Sequence, residues 1–123
     1  MIMVGRVVSG FGEGGKYVEI YMDVIEKVLG IKPYPGTLNV EILIGNPEIL
    51  YGKLKPVIIS PPGPGYGEVY AYKARLNGIA VFLVRPAKTR HDIKIVEVIS
   101  DKYIRGLLNL RDGDQVIIEV DVP

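Results

Sequence analysis

The sequence predicts a mainly β fold, a small closed barrel of about six strands with one main α-helix. Short apolar stretches recur along most of the chain, and several of them alternate with polar residues as strands do. The 123 residues include 15 glycines and 9 prolines, which divide the chain into many short elements. Closure into a barrel would also protect the edges of the outer strands.

The first predicted elements are a strand at residues 2–9 and a helix at residues 17–30. Apolar residues recur within the helix at intervals of three and four, the spacing of one helical face. Gly30 suits the position just beyond a helix C-terminus, and Pro33 prevents the helix from continuing. This stretch is therefore the main helix of the predicted fold.

The remaining elements are mostly strands. They are predicted at residues 36–43, 54–60, 68–77, 79–86, 93–99 and 115–122. Asn77 and Gly78 are typical of a tight turn between two antiparallel strands. A short second helix is expected around residues 102–108, and Asp112 with Gly113 predicts a turn before the last strand.

The chain length supports one hydrophobic core, so residues 1–123 are expected to form a single domain. The segment SPPGPGYG at residues 60–67 contains three prolines and three glycines. A linker at this point would leave two parts that are each too small for a core. We therefore expect a long surface loop, of the kind that often flanks a binding site.

Charge and cysteine content exclude several classes of function. The formal net charge is +1, which gives no general electrostatic support for a nucleic-acid or membrane partner. The chain has no cysteine, so it has no disulfide, thiolate metal site or thiol nucleophile, and His91 is its only histidine. The sequence shows neither an apolar run of about 18 residues nor a signal-peptide pattern. We expect a cytoplasmic protein.

The segment GFGEGG at residues 10–15 fits the pattern G-x-G-x-x-G between a predicted strand and a predicted helix. A dinucleotide-binding fold is not supported, because strands and helices do not alternate after it. Protein-kinase and Walker A motifs are also missing. Backbone N–H groups of such a segment can still converge on a polyphosphate at a helix N-terminus, with Lys16 beside them. A flexible turn explains the glycines equally well.

The segment PGTLNV at residues 35–40 places Thr37 and Asn39 on one face of a strand, opposite Leu38 and Val40. Both polar side chains are neutral and carry an oxygen. On this motif alone, a solvent-facing strand surface is the simpler interpretation.

Glu97 is a carboxylate among isoleucines. In IKIVEVI, residues 93–99, it shares one predicted face with three isoleucines, and burial there is costly without a partner. It either pairs with a basic residue at the barrel rim or contacts a ligand. The polar loop RPAKTRHD at residues 85–92 precedes this strand and contains Thr89 and His91.

Four segments taken together resemble the archaeal CTP-dependent riboflavin kinases. In chain order they are VVSGFGEGGKYV, LGIKPYPGTLNV, RPAKTRHDIKIVEVIS and LRDGDQV. The resemblance extends from about residue 4 to residue 120 and is weakest at residues 44–78. It implies a six-stranded cradle-loop barrel that transfers the γ-phosphate of CTP to the 5′-hydroxyl of riboflavin, giving FMN and CDP.

The resemblance also implies the roles of individual residues. Nucleotide binding falls on Gly10, Phe11, Gly12, Glu13, Gly14, Gly15, Lys16, Lys102, Tyr103, Ile104 and Arg105. Thr37 and Asn39 would bind Mg²⁺, and Thr89 and Glu97 would contact the flavin. Mg²⁺ prefers oxygen ligands, and two neutral oxygens beside a triphosphate add no further negative charge. The resemblance therefore favours a functional interpretation of Thr37 and Asn39. It assigns no catalytic residue, although Glu97 is a candidate general base.

Two other classes of function remain open. A non-catalytic flavin- or nucleotide-sensing barrel of a regulator would use the same pockets. A DNA-binding regulator is disfavoured, because the sequence shows no helix-turn-helix ahead of its first strand and the net charge is near neutral. A purely structural barrel leaves the clustered glycines and Glu97 unexplained. The expected partners are CTP or CDP and riboflavin or FMN, with no nucleic acid and no membrane, and the protein is expected to be a monomer.

Overall fold

The computed structural model describes residues 1–10, 12–89 and 91–121. Its strands are β1 (Ile2–Val8), β2 (Leu38–Ile44), β3 (Val57–Ile59), β4 (Val69–Leu76), β5 (Ile79–Pro86), β6 (Ile95–Ile99) and β7 (Gln115–Val120). Its helices are α1 (Gly14–Leu29), α2 (Pro47–Lys53) and α3 (Ile104–Leu107). Phe11, one of the predicted nucleotide-binding residues, lies outside the described residues.

Six of the strands form a closed antiparallel barrel. They follow the order β4, β5, β6, β2, β1, β7, and β7 pairs back onto β4. The seventh strand, β3, pairs with the first residues of β4, ahead of the three residues that pair with β7. The predicted six-stranded closed barrel is therefore confirmed, with one additional strand.

Apolar residues form two clusters, one on each face of the barrel wall. The inner cluster fills the barrel with side chains such as Met3, Val40, Leu83, Val96 and Ile118. The outer cluster packs α1 against the wall and consists of Val18, Ile25, Ile59, Val69, Ala71, Val84 and Ile99. The main helix consequently covers the outer surface near β3, β4, β5 and β6.

The main helix begins at Gly14, three residues earlier than predicted. Its end agrees with the sequence, because Gly30 adopts a left-handed conformation with φ of 72° and donates its N–H to the carbonyl of Glu26. The glycines at its start concealed this first turn, since glycine is a poor helix former.

Helix α2 was not predicted from the sequence. Asn46 accepts a hydrogen bond from the Glu48 N–H at 2.9 Å, and Pro47 occupies the first helical position. Both are favourable start signals. The strand predicted at 54–60 is correspondingly shorter and is reduced to β3, and the described residues form three helices rather than two.

Among the residues that the structure describes, no helix has the length and apolar character needed to span a membrane.

Candidate functional site

A cavity of about 650 Å³ lies between the outer face of the barrel and helix α1. Its volume is in the range of small-molecule binding sites. The predicted site residues that line it are Gly10, Gly12, Glu13, Gly14, Gly15, Thr37, Asn39, Thr89, Glu97 and Arg105. The fold therefore brings most of the residues singled out from separate motifs into one place.

The glycine segment packs directly against the start of β2. A Cβ atom built on Gly14 would overlap the Thr37 hydroxyl oxygen, and one built on Gly10 would overlap the Asn39 amide. A Cβ on Gly15 would come within 2.8 Å of the Pro35 carbonyl oxygen. Only glycine permits so close an approach of the two segments.

Asn39 lies on the cavity wall and is almost fully buried. The residue is 8% exposed, and its Oδ1 atom has no hydrogen-bond partner among the described residues. Thr37 is half-buried beside it, while Leu38 and Val40 belong to the barrel interior. The interpretation of this strand face as a solvent-facing surface is wrong, because α1 and the glycine segment cover it.

Glu97 lies opposite Asn39 in the register of β6 and β2. Its side chain is 16% exposed. Burial raises the pKa of its carboxyl from 4.5 to about 7, although the positive charge of Arg85 opposes this shift. Of the three neighbouring isoleucines, only Ile99 lines the cavity.

The loop before β6 brings two further polar residues, Thr89 and His91, to the cavity wall. The His91 Nε2 atom is 3.9 Å from the Glu97 Oε1 atom. The Thr89 hydroxyl oxygen accepts a hydrogen bond from the His91 N–H at 3.1 Å. Thr89 and His91 line the same cavity as Glu97.

The second predicted nucleotide-binding stretch lies next to the large cavity. Lys102, Tyr103 and Ile104 line a smaller pocket of about 60 Å³, and Arg105 lines both. The Tyr103 ring stacks on that of Tyr34 at a centroid distance of 4.7 Å.

Of the predicted site residues that the structure describes, Lys16 alone lines neither pocket. It is exposed on the first turn of α1.

Several cavity residues were not identified from the sequence. Tyr17 and Tyr21 of α1 line the cavity together with residues 65–68. The Tyr21 hydroxyl donates a hydrogen bond to the Gly67 carbonyl oxygen at 2.8 Å, and its ring meets that of Tyr66 edge-on. The loop predicted at 60–67 therefore does flank the site. Within it, the position of Tyr66 between Gly65 and Gly67 is the local pattern that could have identified a cavity residue.

The donor atoms of the site fit Mg²⁺. Among the described residues, no group of three or more histidine or carboxylate side chains is placed to hold a metal ion. The Asn39 Oδ1 atom is instead a buried acceptor without a partner, and the Thr37 oxygen lies beside the same glycine segment. Neutral oxygens of this kind suit a hard cation that keeps water and phosphate oxygens in its shell.

The family model and the similar proteins all point to the same family. Residues 7–120 match the family model of CTP-dependent riboflavin kinases, described as domain of unknown function DUF120. A riboflavin kinase of Staphylothermus marinus is 49% identical over 94% of this chain and 87% of that protein. Riboflavin kinases of Pyrococcus abyssi and Thermococcus kodakarensis are 44% and 43% identical over 96% and 97% of this chain. The chain spans only 58% of the length of these last two relatives.

Proposed function

The chain belongs to the family of CTP-dependent riboflavin kinases, and we propose that it transfers the γ-phosphate of CTP to the 5′-hydroxyl of riboflavin, giving FMN and CDP. One observation carries the proposal. Asn39 is paired with Val8 at the end of β1 on one side and with Glu97 of β6 on the other. The glycine segment follows β1, so the proposed phosphate-binding and flavin-binding residues meet on three neighbouring strands.

This arrangement suits phosphoryl transfer, because the reaction depends on holding the phosphate and the attacking hydroxyl in line. The backbone N–H groups of residues 12–15 would bind the phosphates at the start of α1. Thr37 and Asn39 would hold Mg²⁺, which supplies neutralisation of the phosphate charge when bound.

The flavin is proposed to occupy the part of the cavity around Glu97. Val84 and Ile99 offer apolar surface there, and the Glu97 carboxylate can accept hydrogen bonds from the ring edge or the ribityl hydroxyls. A carboxyl whose pKa is about 7 can also take a proton near neutral pH, which supports Glu97 as the candidate general base.

The direct experiment is incubation of the protein with riboflavin, Mg²⁺ and one nucleoside triphosphate at a time, followed by chromatography for FMN. We expect CTP to support FMN formation well and ATP, GTP and UTP poorly. A site fitted to the cytosine edge would leave polar groups unpaired with uracil. A preference for ATP at equal concentration would contradict the proposal. Binding of both ligands without any FMN would indicate a sensing module instead.

A further inference from the structure

The turn LRDGD at residues 110–114 belongs to the segments that resemble the kinase family, yet none of its residues lines either pocket. It is fastened to the end of β1 by two backbone hydrogen bonds. The Gly113 N–H donates to the Val7 carbonyl at 2.7 Å, and the Val7 N–H donates to the Asp114 carbonyl at 2.9 Å. The turn therefore lies just before the glycine segment in space, although about 100 residues separate them in sequence.

The carboxylate of Asp112 joins two parts of the candidate nucleotide site. Its Oδ2 atom accepts a hydrogen bond from the Ser9 hydroxyl, and its Oδ1 atom accepts one from the Arg105 Nη2 atom at 3.1 Å. Ser9 leads into the glycine segment, and Arg105 ends the stretch 102–105. Both line the large cavity.

The two hydrogen bonds favour the ionised form of this carboxylate. The bond from Ser9, followed by that from Arg105, holds the pKa of Asp112 below its usual range. Each oxygen has a different donor, so the two contacts can exist together. One side chain thus fixes the relative positions of Ser9 and Arg105.

An anchor of this kind matters most for Arg105. A free arginine side chain samples many rotamers, and ordering it when a ligand arrives weakens binding. The guanidinium group has five N–H donors, so a bond to Asp112 leaves others for phosphate oxygens. Anchoring would therefore prepare Arg105 for an anionic ligand without using up its donors.

We propose that Asp112 is a positioning residue for the nucleotide. It holds Ser9 and Arg105 together, so that the glycine segment and residues 102–105 bind one CTP molecule as a unit. The proposal rests on the proposed function, and Asp112 itself lines neither pocket.

The test compares Asp112→Asn and Asp112→Ala with a matched control. Asp121 makes the same kind of exposed ion pair, with Arg75 at 3.3 Å, and neither residue lines either of the two pockets. In steady-state assays we expect Asp112→Asn to raise the KM for CTP about two- to fivefold, in proportion to the loss of one exposed charged contact. The KM for riboflavin and the kcat should change less than about twofold, and Asp121→Asn should change none of these values.

A double substitution adds a second readout. Ser9→Ala should raise the KM for CTP less than Asp112→Ala does. Since both act through one carboxylate, Ser9→Ala combined with Asp112→Ala should have no more effect than Asp112→Ala alone. Additive increases would show that the two residues act independently and would overturn the proposal.

Calorimetric titration with CDP separates this proposal from the proposed function. Wild-type protein that binds CDP but forms no FMN would disprove the kinase activity, while weaker CDP binding by Asp112→Asn would still support the positioning role. Wild-type CDP affinity in both Asp112 variants, or an equal rise in both KM values, would overturn it. A wild-type protein that does not bind CDP would overturn both.

Discussion

At the scale of single residues, the Asn39 amide is held on the cavity wall with its oxygen buried and without a partner among the described residues. A buried acceptor that lacks a hydrogen bond costs about 1–3 kcal/mol, so a ligand that approaches this atom would relieve the cost. The motif PGTLNV identified Thr37 and Asn39 as candidate ligands, but it did not predict that Asn39 would be buried. The cover over Asn39 comes from α1 and the glycine segment, whose packing no local pattern predicts.

Asn39→Leu tests whether this atom serves function rather than folding. Leucine has a similar volume and removes the unpaired oxygen, so we expect stability to remain equal or rise by about 1–2 kcal/mol. FMN formation should fall at least tenfold, because a proposed metal ligand is lost, roughly 1.4 kcal/mol of transition-state stabilisation or more. Urea unfolding and the kinase assay measure the two effects. Loss of stability together with full activity would contradict this prediction.

The raised pKa of Glu97 can be tested by comparing the pH dependence of the unfolding free energy in the wild type and in Glu97→Gln. An acid whose pKa rises from 4.5 to about 7 on folding binds its proton more tightly in the folded state. Its contribution to stability is therefore present below pH 4.5 and is lost as the pH rises through 7. Relative to the glutamine variant, the wild type should lose up to about 3 kcal/mol between pH 4 and pH 9.

Denaturant unfolding of both proteins across this pH range measures the difference for Glu97→Gln. Groups that lie far from Glu97 titrate alike in the two proteins and cancel in the comparison. A constant difference at all pH values would show that Glu97 has an ordinary pKa.

At the scale of elements, the strands with clear alternation and the single amphipathic helix were predictable, because their signals are local. The first turn of α1 was not predicted because Gly14 and Gly15 are poor helix formers. Both positions require glycine because the chain passes very close to Thr37 and Pro35, which lie in a distant part of the sequence. Helix α2 had favourable start signals in Asn46 and Pro47, but its short length gave little periodicity to detect.

Gly14→Ala tests the close packing of the glycine segment on β2. Alanine favours a helix over glycine by up to about 1 kcal/mol, yet its Cβ would overlap the Thr37 hydroxyl and displace the segment. We expect lower thermal stability and at least a tenfold rise in the KM for CTP, the result of losing about one well-formed contact.

Gly52→Ala in α2 is the matched control for Gly14→Ala, since a Cβ there meets nothing within 4 Å. It should gain stability, by at most about 1 kcal/mol, and keep full activity. If Gly14→Ala behaved in the same way, the glycine segment would not need its close approach to β2.

At the scale of the whole molecule, the candidate site lies on the outside of the barrel. Six strands enclose a space that side chains fill, and the inner cluster occupies it here. Ligands are therefore left with the outer wall, where α1 and residues 65–68 add the remaining surface. The sequence predicted the closed barrel but not which surface would carry the site, because that depends on how distant segments pack together.

Closure of the barrel depends on the short seam between β4 and β7, which consists of three residue pairs. Ile118 lies opposite Leu76 across this seam and opposite Met3 of β1, and all three side chains are fully buried. The neighbouring residue Ile117 points to the other face of β7 and is 50% exposed.

We expect Ile118→Ala to lower the free energy of unfolding by about 2–5 kcal/mol, because it leaves a cavity in the core. Ile117→Ala should lower it by less than about 1 kcal/mol. Denaturant unfolding with an unchanged m-value measures both, and equal losses would mean that the seam does not close the barrel as described.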